Sequence, residues 1–112
     1  MSGASVHHWR NQRLSALALI PLTLWFVAAM LGHLGEDRAQ FTAWLSQPVP
    51  LVLTAVLVLA VLYHMALGLV VVIEDYVTGP KCQSLAISVV RKSAFALAVI
   101  ALVALAKIGF GS

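Results

Sequence analysis

One histidine, His64, lies within an apolar run that extends from about Val49 to Ile73 and contains no charged residue. It precedes Glu74 by ten residues, so on a helix its ring would lie about 15 Å from the charged end of the stretch. An ionisable ring at that depth is costly in an apolar segment and indicates a functional site. Because neutral imidazole is a common ligand of haem iron, haem ligation is the first hypothesis for His64.

A glycine, Gly68, follows His64 by four residues, which places both on the same face of a helix. Without a side chain at this position, a flat macrocycle could approach the helix backbone. The local pattern alone favours simpler roles: Gly68 as a notch for a neighbouring helix, and His64 as a hydrogen-bonding residue between helices. Haem ligation stays open beside them.

A carboxylate and a phenol, Asp75 and Tyr76, stand at the end of the same stretch. Asp75 comes eleven residues after His64, within about 20° of three full turns, so both share a helix face about 16 Å apart. A tyrosine hydroxyl can donate to a carbonyl oxygen and a carboxylate can pass protons, so the pair could handle a quinone. The residues alone favour a plainer interpretation, a helix end at the membrane interface, where tyrosine is common.

A segment rich in basic and aromatic residues, from His7 to Arg13, precedes the first apolar run. Arg and Trp residues anchor helices at membrane interfaces, which explains most of this segment. Arg13 stands closest to the membrane, and its planar guanidinium suits carboxylates such as haem propionates, or the mouth of a quinone site. Four hydroxyl residues are candidates only for hydrogen bonds between helices: Ser15, Thr23, Thr54 and Ser93.

The composition requires a membrane environment for these residues. Of 112 residues, 62% are hydrophobic and 10% are charged, against about 25% charged in soluble domains. A chain this short cannot hide so much apolar surface in its own core, which excludes a soluble enzyme, a nucleic-acid module and a disordered tail. The apolar runs predict an all-α membrane protein of one domain, with three transmembrane helices over about 13–34, 49–76 and 84–110.

The basic residues predict the orientation of these helices. Five of the 7 Lys and Arg residues lie before the first run or between the second and third runs: Arg10, Arg13, Lys81, Arg91 and Lys92. By the positive-inside rule, we expect a cytoplasmic N-terminus and a periplasmic C-terminus, with the loop from Gly35 to Pro48 on the outer interface. Because lipid supplies no hydrophobic drive between helices, we expect three helices to be a subunit of a larger assembly.

Taken together, these features resemble the small hydrophobic anchor subunits, of the D type, of bacterial succinate dehydrogenase (complex II). The resemblance rests on His64, Gly68 and Asp75-Tyr76 at the family's spacing, on the His/Arg segment before the first helix, and on the three-helix layout. It covers nearly the whole chain. The family also has a histidine in the N-terminal segment, and both His7 and His8 fit that position.

The resemblance implies a role for each matching residue. His64 would be one axial ligand of a b-type haem iron, and a second, cytochrome b-type anchor subunit would supply the other. Tyr76 would hydrogen-bond a ubiquinone carbonyl, Asp75 would support that site, and Arg13 would lie near the haem propionates or the quinone mouth. In the bacterial inner membrane the chain would dock an iron–sulfur subunit and a flavoprotein subunit, which carry the clusters and FAD of this respiratory and tricarboxylic-acid-cycle complex.

On this interpretation the chain is not an enzyme by itself. Its one cysteine, Cys82, cannot provide the ligands of an iron–sulfur cluster, and it has no Gly-rich nucleotide motif. One alternative is the anchor of a quinol:fumarate reductase, which runs the reverse reaction and which the residues do not separate from the first. Another is a haem-free structural anchor or assembly protein, with His64 as a packing residue. A small multidrug-type transporter is disfavoured because no Asp or Glu lies within an apolar run.

Overall fold

Helices account for all the regular structure in the described part of the chain. A computed structural model describes the backbone of residues 3–111 and the side chains of residues 9–111. Its elements are α1 (Gly3–Gly32), α2 (Arg38–Leu45), α3 (Pro48–Tyr76) and α4 (Pro80–Ala106), followed by a π-helical segment (Lys107–Gly111). Three stretches are long and apolar enough to cross a membrane: Trp9–Gly32, Pro48–Tyr76 and Pro80–Gly111. The predicted all-α protein with three transmembrane helices is confirmed.

Two of the long helices begin earlier than the sequence predicts. α1 starts at Gly3 rather than near residue 13, because neither Gly nor Pro interrupts the polar segment that precedes the apolar run. α4 starts at Pro80 rather than near residue 84. Gly79 takes a φ of +92°, which glycine adopts without strain, and Pro80 suits the first turn of a helix, where no amide donor is needed. The turn between α3 and α4 is therefore shorter than predicted.

The central helix of the bundle is α3, which packs against both α1 and α4. Its side chains Leu57 and Val70 are buried, with Val70 only 4% exposed. Most large apolar side chains instead face outward, among them Leu24 of α1 and Phe95 of α4. Apolar surface of this extent has to be covered by lipid or by partner helices, since soluble monomers rarely expose it.

The segment between α1 and α3 folds into the short helix α2. Asp37 caps this helix: its carboxylate accepts a hydrogen bond from the Gln40 amide at 2.8 Å, and the Gln40 side chain accepts one from the Asp37 amide at 3.0 Å. This reciprocal pair satisfies two amides that would otherwise lack partners at the helix start. The segment predicted to lie on the outer interface thus contains an ordered helix, and the last residue of α2, Leu45, is buried.

Aromatic rings tie α2 to the end of α1. The centre of the Trp44 ring lies 4.2 Å from that of His33 and 6.1 Å from that of Trp25, with the two indoles stacked. Phe41 meets His33 edge-on at 6.1 Å, and His33 Nδ1 lies 2.7 Å from a carboxylate oxygen of Glu36. Trp44 makes the closest of these ring contacts, so the position of α2 depends strongly on it.

Replacing Trp44 with Ala should loosen α2 while leaving the three long helices in place. Each lost aromatic pair is worth about 0.5–1.5 kcal/mol, so amide hydrogen exchange across α2 should accelerate about tenfold in the detergent-solubilised protein. Phe110→Ala is the control, because Phe110 is 88% exposed and should leave the exchange of α2 unchanged. Equal exchange of α2 in the two variants would show that the aromatic cluster does not hold the helix.

Candidate functional site

His64 is linked to a neighbouring helix by a hydrogen bond. Its Nδ1 lies 3.0 Å from the hydroxyl oxygen of Ser15 on α1, and the Ser15 hydroxyl also donates to the backbone carbonyl of Gln12 at 2.8 Å. Ser15 is only 9% exposed, and His64 is half-buried. Polar groups at membrane depth have no water to satisfy them, so this contact both stabilises the ring and joins α1 to α3. The interhelical hydrogen bond, one of the two interpretations of His64, is therefore present.

This hydrogen bond leaves one nitrogen of the His64 ring available. Nε2 makes no hydrogen bond to any residue whose side chain is described. A histidine that ligates a metal uses one ring nitrogen for the metal and commonly donates a hydrogen bond from the other. The surroundings of His64 therefore fit an axial haem ligand as well as a link between helices. Within residues 9–111, no group of three or more His, Cys, Asp or Glu side chains is arranged to hold a bare metal ion.

Gly68 lies against α1. A Cβ atom at this position would be 3.8 Å from the side-chain nitrogen of Gln12, an ordinary van der Waals distance. The Gln12 amide thus lies over the bare backbone of α3, one turn beyond His64. A methyl group would therefore fit at this position, so the contact with α1 does not itself require glycine. Gln12 lies on the side of α3 where the sequence predicts that a macrocycle could approach.

The carboxylate and the phenol predicted for a quinone stand at the end of α3. Tyr76 is the last residue of the helix and is 80% exposed, and Asp75 is also exposed. Neither side chain makes a hydrogen bond or an ion pair with the side chains of residues 9–111. Both groups are therefore free to meet a ligand or a partner subunit, about 16 Å along α3 from His64.

The position of this helix end is fixed from α4. The side-chain amide of Gln83 donates to the carbonyl of Glu74 at 3.3 Å and to that of Val77 at 3.4 Å. Glu74 lies in the last turn of α3 and Val77 follows the helix end, so neither carbonyl has a partner within the helix. Gln83 therefore holds the start of α4 beside Asp75 and Tyr76.

Arg13 is not brought into contact with the other candidate residues. Its guanidinium carbon lies 5.1 Å from the centre of the Trp9 ring, one turn earlier on α1, in a cation–π contact. Among the described side chains, no hydrogen bond or ion pair joins Arg13 to His64, Asp75 or Tyr76. Arg13 is exposed and can meet an anion beyond this chain. The side chains of His7 and His8 lie outside the described residues.

A largely apolar groove of about 870 Å³ runs over α3 between α1 and α4. Asn11, Ser15, Tyr63 and Arg91 contribute polar groups to its lining, which does not include His64. The groove is thus a second place where an amphipathic molecule could lie, separate from the end of α3. The other tyrosine of the chain, Tyr63, lines this groove, so mutating each tyrosine separately can tell the two places apart.

Three polar residues make contacts that the sequence predicts only in part. Ser15 was expected to hydrogen-bond between helices, but not to His64, and neither Gln12 nor Gln83 was assigned a role. A polar side chain within an apolar run is the signal that points to Ser15, because such a group needs a partner. Gln12 and Gln83 carry no comparable signal, since in the sequence they belong to the polar segments before the first and third apolar runs.

Comparison with known proteins places this arrangement in a family. The family model for succinate dehydrogenase/fumarate reductase transmembrane subunits matches residues 2–108. The chain therefore belongs to this family of membrane-spanning subunits.

Individual relatives have more specific names than the family as a whole. The chain is 34% identical over 85 residues to the succinate dehydrogenase hydrophobic membrane anchor subunit of Rickettsia bellii, an alignment that covers 76% of this chain and 68% of the relative. It is 32% identical over 108 residues to the protein of the same name from Paracoccus denitrificans, covering 95% of this chain and 81% of the relative. No solved structure matches.

The resemblance to the anchor subunits of bacterial succinate dehydrogenase is thus confirmed. Three apolar spans and bacterial relatives named as membrane anchors support a multi-pass protein of the bacterial inner membrane.

Proposed function

We propose that this chain is the membrane anchor subunit of a succinate:ubiquinone oxidoreductase, that it shares a b-type haem with a second anchor subunit, and that it contributes to the ubiquinone-reduction site. The observation that carries the proposal is the arrangement of α3. This helix holds His64 with one free ring nitrogen at membrane depth and presents Asp75 and Tyr76, exposed, at its end. Membership of the family gives the arrangement its context.

His64 is the residue that would hold the haem. Ser15 fixes the ring from the Nδ1 side, which leaves Nε2 for the iron. Haem, when bound, supplies reversible one-electron chemistry. The other histidines of the chain are His7, His8 and His33, all outside the middle of the apolar runs. We therefore assign the second axial ligand to the partner anchor subunit.

Tyr76, Asp75 and Arg13 would serve the quinone and the haem propionates. The Tyr76 hydroxyl donates to a carbonyl oxygen of ubiquinone, and the Asp75 carboxylate orients that end of the site and exchanges protons with water. Arg13, exposed beyond the Trp9 ring, pairs with a propionate or lies at the quinone mouth. With the N-terminus cytoplasmic and the C-terminus periplasmic, these groups lie on the cytoplasmic side.

The chain would act as a non-catalytic subunit. Succinate would be oxidised at FAD in a flavoprotein subunit, and electrons would reach ubiquinone through the clusters of an iron–sulfur subunit docked on the cytoplasmic side. The outward-facing apolar side chains of α1 and α4 suit contact with lipid and with the second anchor subunit. The family also includes fumarate reductase subunits, and the direction of the reaction is set by partners and reduction potentials rather than by this chain.

Replacing His64 with Ala should remove the haem from the purified complex, because the only other histidine whose side chain the structure describes, His33, follows the far end of α1. The measurement is the reduced-minus-oxidised absorbance of the haem, normalised to flavin. His33→Ala is the matched control, since it removes a histidine outside the middle of the apolar runs. A His64→Ala complex that keeps its full haem absorbance would contradict haem ligation and leave His64 as a packing residue.

Replacing Tyr76 with Phe should slow ubiquinone reduction about threefold to tenfold, which corresponds to one lost hydrogen bond of about 0.5–1.5 kcal/mol. Succinate oxidation with a water-soluble artificial acceptor should stay unchanged, because that route bypasses the anchor. Tyr63→Phe tests whether the quinone lies in the groove instead, because Tyr63 is the only other tyrosine of the chain and lines that groove. If Tyr63→Phe slows quinone reduction and Tyr76→Phe does not, the quinone lies in the groove and the assignment of Tyr76 is wrong.

A further inference from the structure

The contacts of Ser15 determine which nitrogen of His64 carries the proton. The Ser15 oxygen lies 2.8 Å from the carbonyl oxygen of Gln12 and 3.0 Å from His64 Nδ1. A hydroxyl group has one proton to donate, and a backbone carbonyl can only accept. The hydroxyl proton therefore goes to the Gln12 carbonyl. The remaining contact is satisfied when Nδ1 carries a proton and donates it to a lone pair of the Ser15 oxygen.

We propose that Ser15 is a positioning residue that holds His64 as its Nδ1–H tautomer, with Nε2 unprotonated and ready to bind iron. The proposal rests on the proposed role of His64 as a haem ligand. The Gln12 carbonyl orients the Ser15 hydroxyl, and the hydroxyl oxygen accepts a hydrogen bond from Nδ1. These two hydrogen bonds together limit rotation of the His64 ring. Outer partners of this kind also raise the basicity of the ligating nitrogen.

The burial of Ser15 protects its contact with His64 from competing hydrogen-bond partners. With only 9% of its surface exposed, the hydroxyl has little access to competing donors and acceptors. Polar contacts at membrane depth lack water as an alternative partner, so loss of the hydroxyl would leave Nδ1–H unsatisfied. A serine with an exposed side chain, Ser93 on α4, has no such contact and gives a matched control.

The first test uses the full haem-free chain, labelled with ¹⁵N-histidine and reconstituted in detergent micelles. The ¹⁵N resonances of His64, assigned by their loss in His64→Ala, should show a protonated Nδ1 and an unprotonated Nε2. Ser15→Ala should abolish this preference, Ser15→Thr should retain it, and Ser93→Ala should match the wild type. An Nε2–H tautomer in the wild-type chain would overturn the proposal, and this measurement does not require any Ser15 variant to assemble.

The second test uses the purified complex. Ser15→Ala should weaken haem retention about tenfold or more, within the range for lost outer partners of metal ligands. It should also raise the midpoint potential of the haem, because a less basic histidine stabilises ferric iron less. Ser15→Thr should restore both values. A Ser15→Ala complex with the haem retention and potential of Ser93→Ala would overturn the role of Ser15.

These outcomes separate the inference from the proposed function. If His64→Ala loses haem while Ser15→Ala changes neither tautomer nor potential, His64 is a ligand and Ser15 does not position it. If His64→Ala keeps haem, the ligand assignment is wrong, and the role of Ser15 toward haem fails with it. The tautomer measurement then reports only on the hydrogen bond between the two helices.

Discussion

A polar group within hydrocarbon is costly unless it finds a partner inside the protein, and the contact between Ser15 and His64 meets this requirement for these two residues, whereas the buried hydroxyl of Thr54 has no partner among the described residues. Lipid offers no hydrophobic gain for bringing α1 and α3 together, so a buried polar contact has more influence on their register than it would have in water. Among the described side chains of α1, Ser15 is the polar residue that is buried, and its hydroxyl contacts the His64 ring on α3 while donating its proton to the Gln12 carbonyl. Gln12 also lies beside Gly68, at a distance that would remain an ordinary van der Waals contact if a Cβ atom were present there.

Because α3 is one continuous helix, the position of His64 also sets the position of the helix end. His64 lies at membrane depth, and the same helix ends eleven and twelve residues later at Asp75 and Tyr76, about 16–18 Å away. Gln83 fixes the last turn from α4, so the exposed carboxylate and phenol keep a constant distance from the ring. One helix thereby presents a polar ring at membrane depth and two exposed polar groups at its end, which are the two positions that the proposed haem and quinone roles require.

Much of this arrangement follows from the sequence, because bilayer thickness and helix geometry leave few choices. Three apolar runs predict three spans, and a turn count places Asp75 on the face of His64. The partner of His64 does not follow, since the register between α1 and α3 is set by packing that no local pattern reveals. The same holds for α2: the sequence contains the residues of its capping box, Asp37 and Gln40, but the packing of Trp44 against Trp25 and His33 depends on the tertiary fold. Arg13 illustrates the reverse case, because its nearest described partner is Trp9 rather than any of the residues with which chemistry would group it.

We propose that this chain anchors a succinate dehydrogenase complex and that its helix α3 contributes to a haem site and a quinone site. A dithionite-reduced minus air-oxidised spectrum tests this proposal on the affinity-tagged chain, purified in mild detergent together with the subunits that accompany it. We expect a b-type haem signal, together with a flavoprotein, an iron–sulfur subunit and a second anchor subunit on a gel. A preparation with neither haem nor these partners would contradict it and leave a small structural membrane protein in its place.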